Sequence, residues 1–380
     1  MKLSTKNYLR AISMMLGMAI GVGIFGVPYV IAKSGALIGA IYFLILGAII
    51  ILTHLAYGET ILRTKGQHRL AGLAQIYLGK WWKRLAIAAS MLGFYAVIIA
   101  YIIVGGQFLK FLLSPFFGGP LILYQIIFWA VMALIILAAL RTIVFSEILM
   151  TFVLVGAMLF ITILSLSKVN VLNFSGIGAA EFFTPYGVIL FSITASAAVP
   201  EVLEIMGREK KRAKSAIFWG SFIAIALMAV FAFAVLGALG GSVSKESIES
   251  LGALFGNWIL YVGALFGLFA VATSFLPLSL YAKEQFHFDF KFNGHLSWFL
   301  ACVIPFLIFL LGTKDFIKII SFSGAVFSGF EGFLVVWIYR RAKKMGSRQP
   351  EYAMRLPFAI LAIIGVIFLL GMVYEMRTFF

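Results

Sequence analysis

Three glycines and a proline interrupt the first long apolar stretch of the chain, in Gly21-Val22-Gly23-Ile24-Phe25-Gly26-Val27-Pro28. Glycine lets a helix unwind without steric cost, and Pro28 has no N–H to return to the preceding turn. Lipid cannot satisfy a bare backbone group, so a membrane helix that gives up its bonds here must expose them to something else. The segment reads as a binding-site break in a transporter. Titratable groups at membrane depth are functional sites by default. Glu201 follows Pro200, Glu331 lies midway through the tenth apolar stretch, and Glu147 and His54 lie within the fifth and second. Glu201, Glu331 and His54 are candidates to exchange a proton with a transport cycle. The competing readings are an inner ion pair of Glu201 and Glu204 with a basic residue such as Lys6 or Arg10, and a packing role for His54.

The elements that carry these residues follow from composition. With 63% hydrophobic and 12% charged residues, the chain cannot present the surface of a soluble globule. At about 20 residues per span, 380 residues accommodate about eleven spans and short loops. The spans fall near 8–32, 35–62, 83–109, 120–140, 143–166, 183–206, 213–239, 254–282, 295–312, 315–339 and 355–375. The apolar runs are continuous, which excludes an alternating β-barrel pattern. The first stretch lacks a small-residue cleavage site and is expected to remain as a span. Cys302 has no partner cysteine, so no disulfide framework exists.

Charge distribution orients the spans. Counted with the N-terminus inside, the cytoplasmic segments hold three, six, one, five, two and six Lys and Arg residues, 23 of the total 30, with Arg141 the one between spans four and five. The opposite side holds seven: Lys33, Lys110, Lys168, Lys245, Lys314, Lys318 and Arg377. This asymmetry follows the positive-inside rule, so the formal charge of +16 reports topology and not a nucleic-acid partner. A cytoplasmic N-terminus and an extracytoplasmic C-terminus follow.

The chain also matches itself. A shift of 172 residues places Gly21 to Pro28 over Ile193-Thr194-Ala195-Ser196-Ala197-Ala198-Val199-Pro200, small residue on small residue and Val-Pro on Val-Pro. The first and sixth spans run in opposite directions, so the halves are inverted repeats, the arrangement that brings two interrupted segments to one midplane site. The expected organisation is a single transmembrane domain over 1–380, with repeats at 8–166 and 183–339 and an extra span at 355–375. The connection 63–82 fits a short interfacial helix.

At the first-span motif, at Pro200-Glu201-Val202 and at Ala270-Val271-Ala272-Thr273-Ser274-Phe275-Leu276, the chain resembles the amino acid/auxin permease family, in particular its bacterial aromatic amino acid permease relatives. These belong to the amino acid–polyamine–organocation superfamily. The resemblance covers essentially the whole chain. It implies an all-α polytopic membrane protein of the leucine-transporter-type fold, with a five-plus-five inverted repeat, broken helices 1 and 6 and an eleventh span. It also implies ion-coupled alternating access for amino acids, a bacterial inner membrane location, no cofactor, and Na⁺ or H⁺ as coupling ion.

An amino acid zwitterion leaves water only where fixed dipoles replace solvent. Amides of Val22, Gly23, Ile24 and Phe25, near Gly26, suit the carboxylate, and carbonyls of Ser192, Ile193, Thr194 and Ala195 suit the ammonium group. The bland alternative is that these glycines only permit close helix packing. Phe25, Phe191, Tyr95, Tyr101 and Phe322 could wall a side-chain pocket, with Ser196 and Ala197 leaving room, which suits a neutral, apolar or aromatic substrate. Ala270, Thr273 and Ser274 resemble the eighth-span half of a sodium site, which the carbonyls of Gly17 and Ile20 would complete. Gly17 stands where sodium-coupled relatives tend to carry an asparagine, which tilts the reading toward protons.

No phosphate-binding loop with Lys-Ser/Thr exists, and His54, His68, His287 and His295 lack metal-ligand spacing, so a pump or an enzyme is disfavoured. A passive channel and a membrane amino acid sensor without transport are the remaining alternatives. Counterflow separates them, because only a carrier exchanges labelled for unlabelled substrate. The sequence leaves oligomeric state open.

Overall fold

The computed structural model describes residues 3–138, 147–176, 178–289, 291–312 and 314–379. Lys2 and Arg141 of the basic count, and the junction at 139–146 between the fourth and fifth spans, lie outside the described residues. In chain order the helices are α1 (Leu3–Ala19), α2 (Val27–Ser34), α3 (Ala36–Arg63), α4 (Leu70–Leu78), α5 (Lys80–Phe117) and α6 (Leu121–Leu137). They continue as α7 (Glu147–Leu166), α8 (Thr184–Ile193), α9 (Ala198–Met206), α10 (Ala213–Leu239), α11 (Ile248–Phe255) and α12 (Asn257–Asp289). The last are α13 (Gly294–Trp298), α14 (Ile304–Leu311), α15 (Phe316–Phe322), α16 (Gly329–Met345) and α17 (Phe358–Phe379).

Among the described residues, eight helices are long and apolar enough to cross a bilayer, and a bent pair, Thr5–Ala19 with Val22–Ser34, makes a ninth span. Leu121–Leu137 and Phe152–Leu166 are shorter apolar helices. Apolar helices thus lie at all eleven positions read from the sequence, nine of them long enough to span when the bent pair is taken as one and two shorter, with bounds that shift by a few residues. The pair α1 and α2 meets at 53° across Ile20 and Gly21, and Val22–Phe25 forms a 3₁₀ turn inside the glycine-rich motif. In the sixth span, Thr184–Met206, helical geometry stops at Ile193 and resumes at Ala198. Both breaks therefore fall where small residues and Val-Pro had placed them. The interfacial helix expected in 63–82 is α4.

Two features were not legible in the chain. Phe299–Val303 and Ser323–Ser328 are π-helical turns that join α13 to α14 and α15 to α16. The second packs on α8, and a Cβ at Gly324 would meet Phe191 N at 2.7 Å, so the two backbones approach without intervening side chains. That close approach requires glycine at 324. Large apolar side chains such as Leu44, Phe152, Ile163, Leu311 and Leu370 face outward, which is ordinary against lipid. The two broken spans sit side by side: α1 packs on α9 and α10, and α2 on α8.

Candidate functional site

The first break presses directly on the second. A Cβ at Gly23 would meet the Phe191 ring at 2.9 Å and Ser192 Cβ at 3.0 Å. Gly26 is likewise a packing position, because a Cβ there would meet Ile320 at 2.8 Å and Ile317 at 3.0 Å. Gly21 differs, with nothing within 4 Å of its added Cβ. The open space at the motif thus lies beside Gly21, while Gly23 marks the contact between the two broken spans. Val22, Gly23, Ile24 and Phe25 are all buried, and the Phe25 ring meets Phe108 edge-on with centroids 5.0 Å apart. Within the turn, Ile24 N donates to Gly21 O and Gly26 N to Gly23 O, so the amides of Ile24 and Gly26 have partners within the motif.

The second break shows how backbone groups are reassigned when a helix stops. Ala198 N donates to Ala195 O at 3.0 Å and Val199 N to Ser196 O at 3.1 Å, which starts α9. Thr194 Oγ1 donates back to Leu190 O and Ser192 Oγ to Val188 O, so both hydroxyls are satisfied by the turn before them. The Ala195 carbonyl, one of the expected ammonium acceptors, is therefore already used. Those of Ser192, Ile193 and Thr194 lie at the C-terminal end of α8, where the helix dipole is negative.

Two of the titratable candidates converge on this break from different helices. His54 of α3 is fully buried; its Nε2 accepts from Ala195 N at 3.1 Å and its Nδ1 lies 2.9 Å from Ser221 Oγ of α10. Glu331 of α16 hydrogen-bonds Ser196. Glu201 instead lies on the other side of Pro200 with a half-exposed carboxylate 3.8 Å from Arg69, not from Lys6 or Arg10. Glu147 opens α7.

The remaining candidates scatter. Tyr101 is buried, hydrogen-bonded to Ser274 and packed on Phe275. Thr273 Oγ1 donates to Ala270 O at 3.0 Å, the turn before it. Pro277 lies inside α12, and its missing N–H leaves the Thr273 carbonyl without its usual helical donor. The same helix packs on the 3₁₀ turn of the first break. Gly17 lies in the last full turn of α1 and Ile20 at the kink. Tyr95 is engaged away from the breaks, its hydroxyl donating to Leu300 O at 2.8 Å, and Phe322 packs on Phe327 and Phe379.

Three residues escaped the sequence reading. Ser221 is a lone hydroxyl in an apolar span. Ser247, in the loop before α11, is fully buried at a φ of 60° and donates to Phe25 O at 2.7 Å, which ties the loop to the first break. Glu59 is fully buried near the end of α3, where Arg63 Nε and Lys343 Nζ each lie 2.8 Å from its Oε1 and Met354 N donates to its Oε2 at 2.6 Å. Its spacing to Arg63 reads in sequence as an exposed i,i+4 pair, which hid it. On the far side of the molecule Lys245 pairs with Asp315 at 2.6 Å, and that contact holds the ammonium pKa above its ordinary value.

Comparison with known proteins agrees with this architecture. The model of the tryptophan/tyrosine permease family matches residues 4–376. The tyrosine-specific transport system 1 of Haemophilus influenzae is 24% identical over 377 residues, which cover 93% of each chain. The crystal structure of MhsT in complex with L-phenylalanine superposes with a TM-score of 0.67 at 16% identity, over 100% of this chain and 99% of that one. Mhp1, a nucleobase-cation-symport-1 family transporter in a closed conformation with bromovinylhydantoin bound, gives 0.60 at 15% identity, over 97% and 90%. The fold is the leucine-transporter type, and the expected superfamily holds. The aromatic amino acid permease kinship singled out within it holds too, while the family's name differs from the amino acid/auxin one expected: over nearly its whole length, the chain belongs to the tryptophan/tyrosine permease family.

Proposed function

We propose that the protein is a secondary active transporter of aromatic amino acids, with tyrosine and tryptophan as the first substrates to test. The observation that carries this reading is the contact of two broken spans, Gly23 against Phe191 and Ser192, in a chain that matches a permease family over residues 4–376. Of the first break's amides, those of Val22 and Gly23 would receive the carboxylate, since Ile24 N and Gly26 N donate within the turn, and the carbonyls of Ser192, Ile193 and Thr194 would receive the ammonium group. Phe25 and Phe191, the two candidate aromatics carried by the breaks themselves, would meet the substrate ring. The name of the Haemophilus relative and the phenylalanine bound to MhsT support an aromatic ligand.

For the coupling ion we favour the proton, with Glu331 as its carrier. Glu331 touches Ser196 inside the break, so its protonation state can act on the substrate site directly. The hydroxyl bonds of Thr273 to Ala270 O and of Ser274 to Tyr101 leave oxygen lone pairs that a sodium ion could take, so the preference for the proton rests on Glu331 and on Gly17. A cytoplasmic N-terminus, one transmembrane domain and repeats at 8–166 and 183–339 complete the proposal. Counterflow of labelled L-tyrosine and L-tryptophan in liposomes tests transport; a protein that binds either without exchanging it is a sensor. Accumulation driven by a pH gradient in choline buffer, lost in Glu331→Gln with exchange retained, supports protons. Strict Na⁺ dependence abolished by Thr273→Val with Ser274→Ala would transfer the role to α12.

A further inference from the structure

We infer that His54 is a positioning residue that holds the second broken span unwound at Ala195, and thereby keeps the Phe191 carbonyl free beside the substrate site; the inference rests on the transport reading above. α8 ends at Ile193. Were it to continue, Thr194 N–H would donate to Leu190 O and Ala195 N–H to Phe191 O, each four residues back; Thr194 is already extended, at φ −80° and ψ 124°. The Ala195 amide instead donates to His54 Nε2 at 3.1 Å. The imidazole therefore competes for the second of the two hydrogen bonds that would carry the helix past Thr194.

The geometry fixes the chemical state of the ring. An N–H aimed at Nε2 requires a lone pair there, so the hydrogen of the neutral imidazole sits on Nδ1 and points at Ser221 Oγ, 2.9 Å away. Both ring nitrogens are thus used, one by α10 and one by the break. His54, Ser221 and Ala195 are all buried, and the imidazole is the acceptor the structure gives the Ala195 amide. A buried amide deprived of that acceptor must find another, and the Phe191 carbonyl is the acceptor that helical geometry supplies. α8 has little freedom to move away, because Gly187 and Gly324 hold it backbone to backbone against α15 and the π-helical turn. Rewinding by one turn is the motion left, and it would consume the carbonyls from Phe191 to Thr194 at the negative end of α8.

The test compares His54→Leu, which removes the acceptor, with His54→Gln, whose side-chain oxygen can still accept. Hydrogen exchange of a peptide spanning 194–198, in purified protein without substrate, reads the break itself. His54→Leu is expected to slow exchange of these amides by about tenfold or more as they enter a helix, with His54→Gln near wild type. Unchanged or faster exchange in His54→Leu would overturn the inference, whatever the substrate proves to be. Binding of L-tyrosine and L-tryptophan reads the consequence: a loss of about tenfold or more in His54→Leu, against about threefold or less in His54→Gln. Equal losses in both variants would make His54 a packing residue and also overturn it. Wild-type protein that binds neither amino acid would sink the transport reading alone, since the exchange experiment still decides the role of His54.

Discussion

The buried carboxylate of Glu59 gives the most quantitative test of how this molecule is held together. It takes charge-assisted contacts from Arg63 and Lys343 and a backbone bond from Met354, so one side chain joins α3, α16 and the segment leading into α17. Arg63 reinforces the same junction through its carbonyl, which accepts from Ser347 N and Arg348 N at 2.9 and 3.2 Å, and Tyr352 OH donates to Leu55 O at 2.8 Å. Removing one partner of a buried ion pair costs about 3–5 kcal/mol because the other charge is stranded. Lys343 and Arg63 retain 30% and 17% side-chain exposure, so water recovers part of that cost. The stranded Met354 amide adds about 1–3 kcal/mol, and Glu59→Ala should therefore destabilise by about 3–4 kcal/mol in total.

Unfolding of a membrane protein in detergent is commonly irreversible, so the assay is the half-life of monodisperse protein at fixed temperature. If the clamp is half broken in the unfolding transition state, about 3 kcal/mol shortens the half-life by about tenfold. Glu59→Gln keeps an oxygen for Met354 N and removes only the charge, so it should lose less. Pairing Glu59→Leu with Lys343→Met should recover only the share of the loss that comes from stranding Lys343, since Arg63 and the Met354 amide still lack their acceptor. A half-life for Glu59→Ala within about twofold of wild type would refute the claim that this pair is buried in the sense that makes it costly to break.

Gly23→Val should drive Phe191 and Ser192 apart and abolish measurable tyrosine binding, whereas Gly21→Ala, extended at φ −114° and facing open space, should bind normally; equal effects would refute the assignment of Gly23 as the contact point. A cysteine in the 240–253 loop should react with an impermeant reagent from outside and one at 341–349 should not; the opposite labelling would reverse the orientation. Burial raises the Glu246 carboxyl above its ordinary 4.5, so the native state binds that proton more tightly and stability falls as pH rises from 4.5 through the raised value. The thermal half-life advantage of Glu246→Gln over wild type should accordingly grow between pH 4 and pH 7. For Lys245 the sign is the same but the window lies far higher: its pKa is raised by Asp315, so the pair's contribution is lost only as pH rises above 10.5, and Asp315→Asn should cost the same half-life at pH 6 as at pH 8.

How far the chain itself reveals this molecule depends on the range of the interaction concerned. Span positions follow from runs of apolar residues, which is local information, and so Leu121–Leu137 and Ala213–Leu239 fall where hydropathy puts them. Both breaks follow from glycine, small residues and Val-Pro, again local. Gly23 looks like a ligand-contacting residue in sequence, yet its neighbour is Phe191, 168 positions away. Tyr95 and Phe322 looked like pocket walls because aromatic residues suit one, and nothing local distinguishes a ring that meets a break from one that meets Leu300 or Phe379. Glu59 was invisible for the same reason: its partners Lys343 and Met354 are brought to it only by the fold.

A break in a membrane helix is a debt of unsatisfied backbone groups that glycine and proline create but cannot settle. In this protein the settlement comes from distant elements. His54 of α3 takes the Ala195 amide and Ser247 of the loop before α11 takes the Phe25 carbonyl, while Glu331 of α16 holds the Ser196 side chain. Each donor or acceptor lies on a different element, so any motion of α3, α16 or that loop relative to the broken spans must exchange one of these bonds for another. Ser247 carries the clearest mark of that arrangement, since a non-glycine residue at a φ of 60° is strained and persists only where its surroundings compensate. Its hydroxyl bond to Phe25 O is such a compensation. Any rearrangement of the two breaks, including one that would carry substrate in the transport reading proposed above, must therefore keep these bonds or replace them with others.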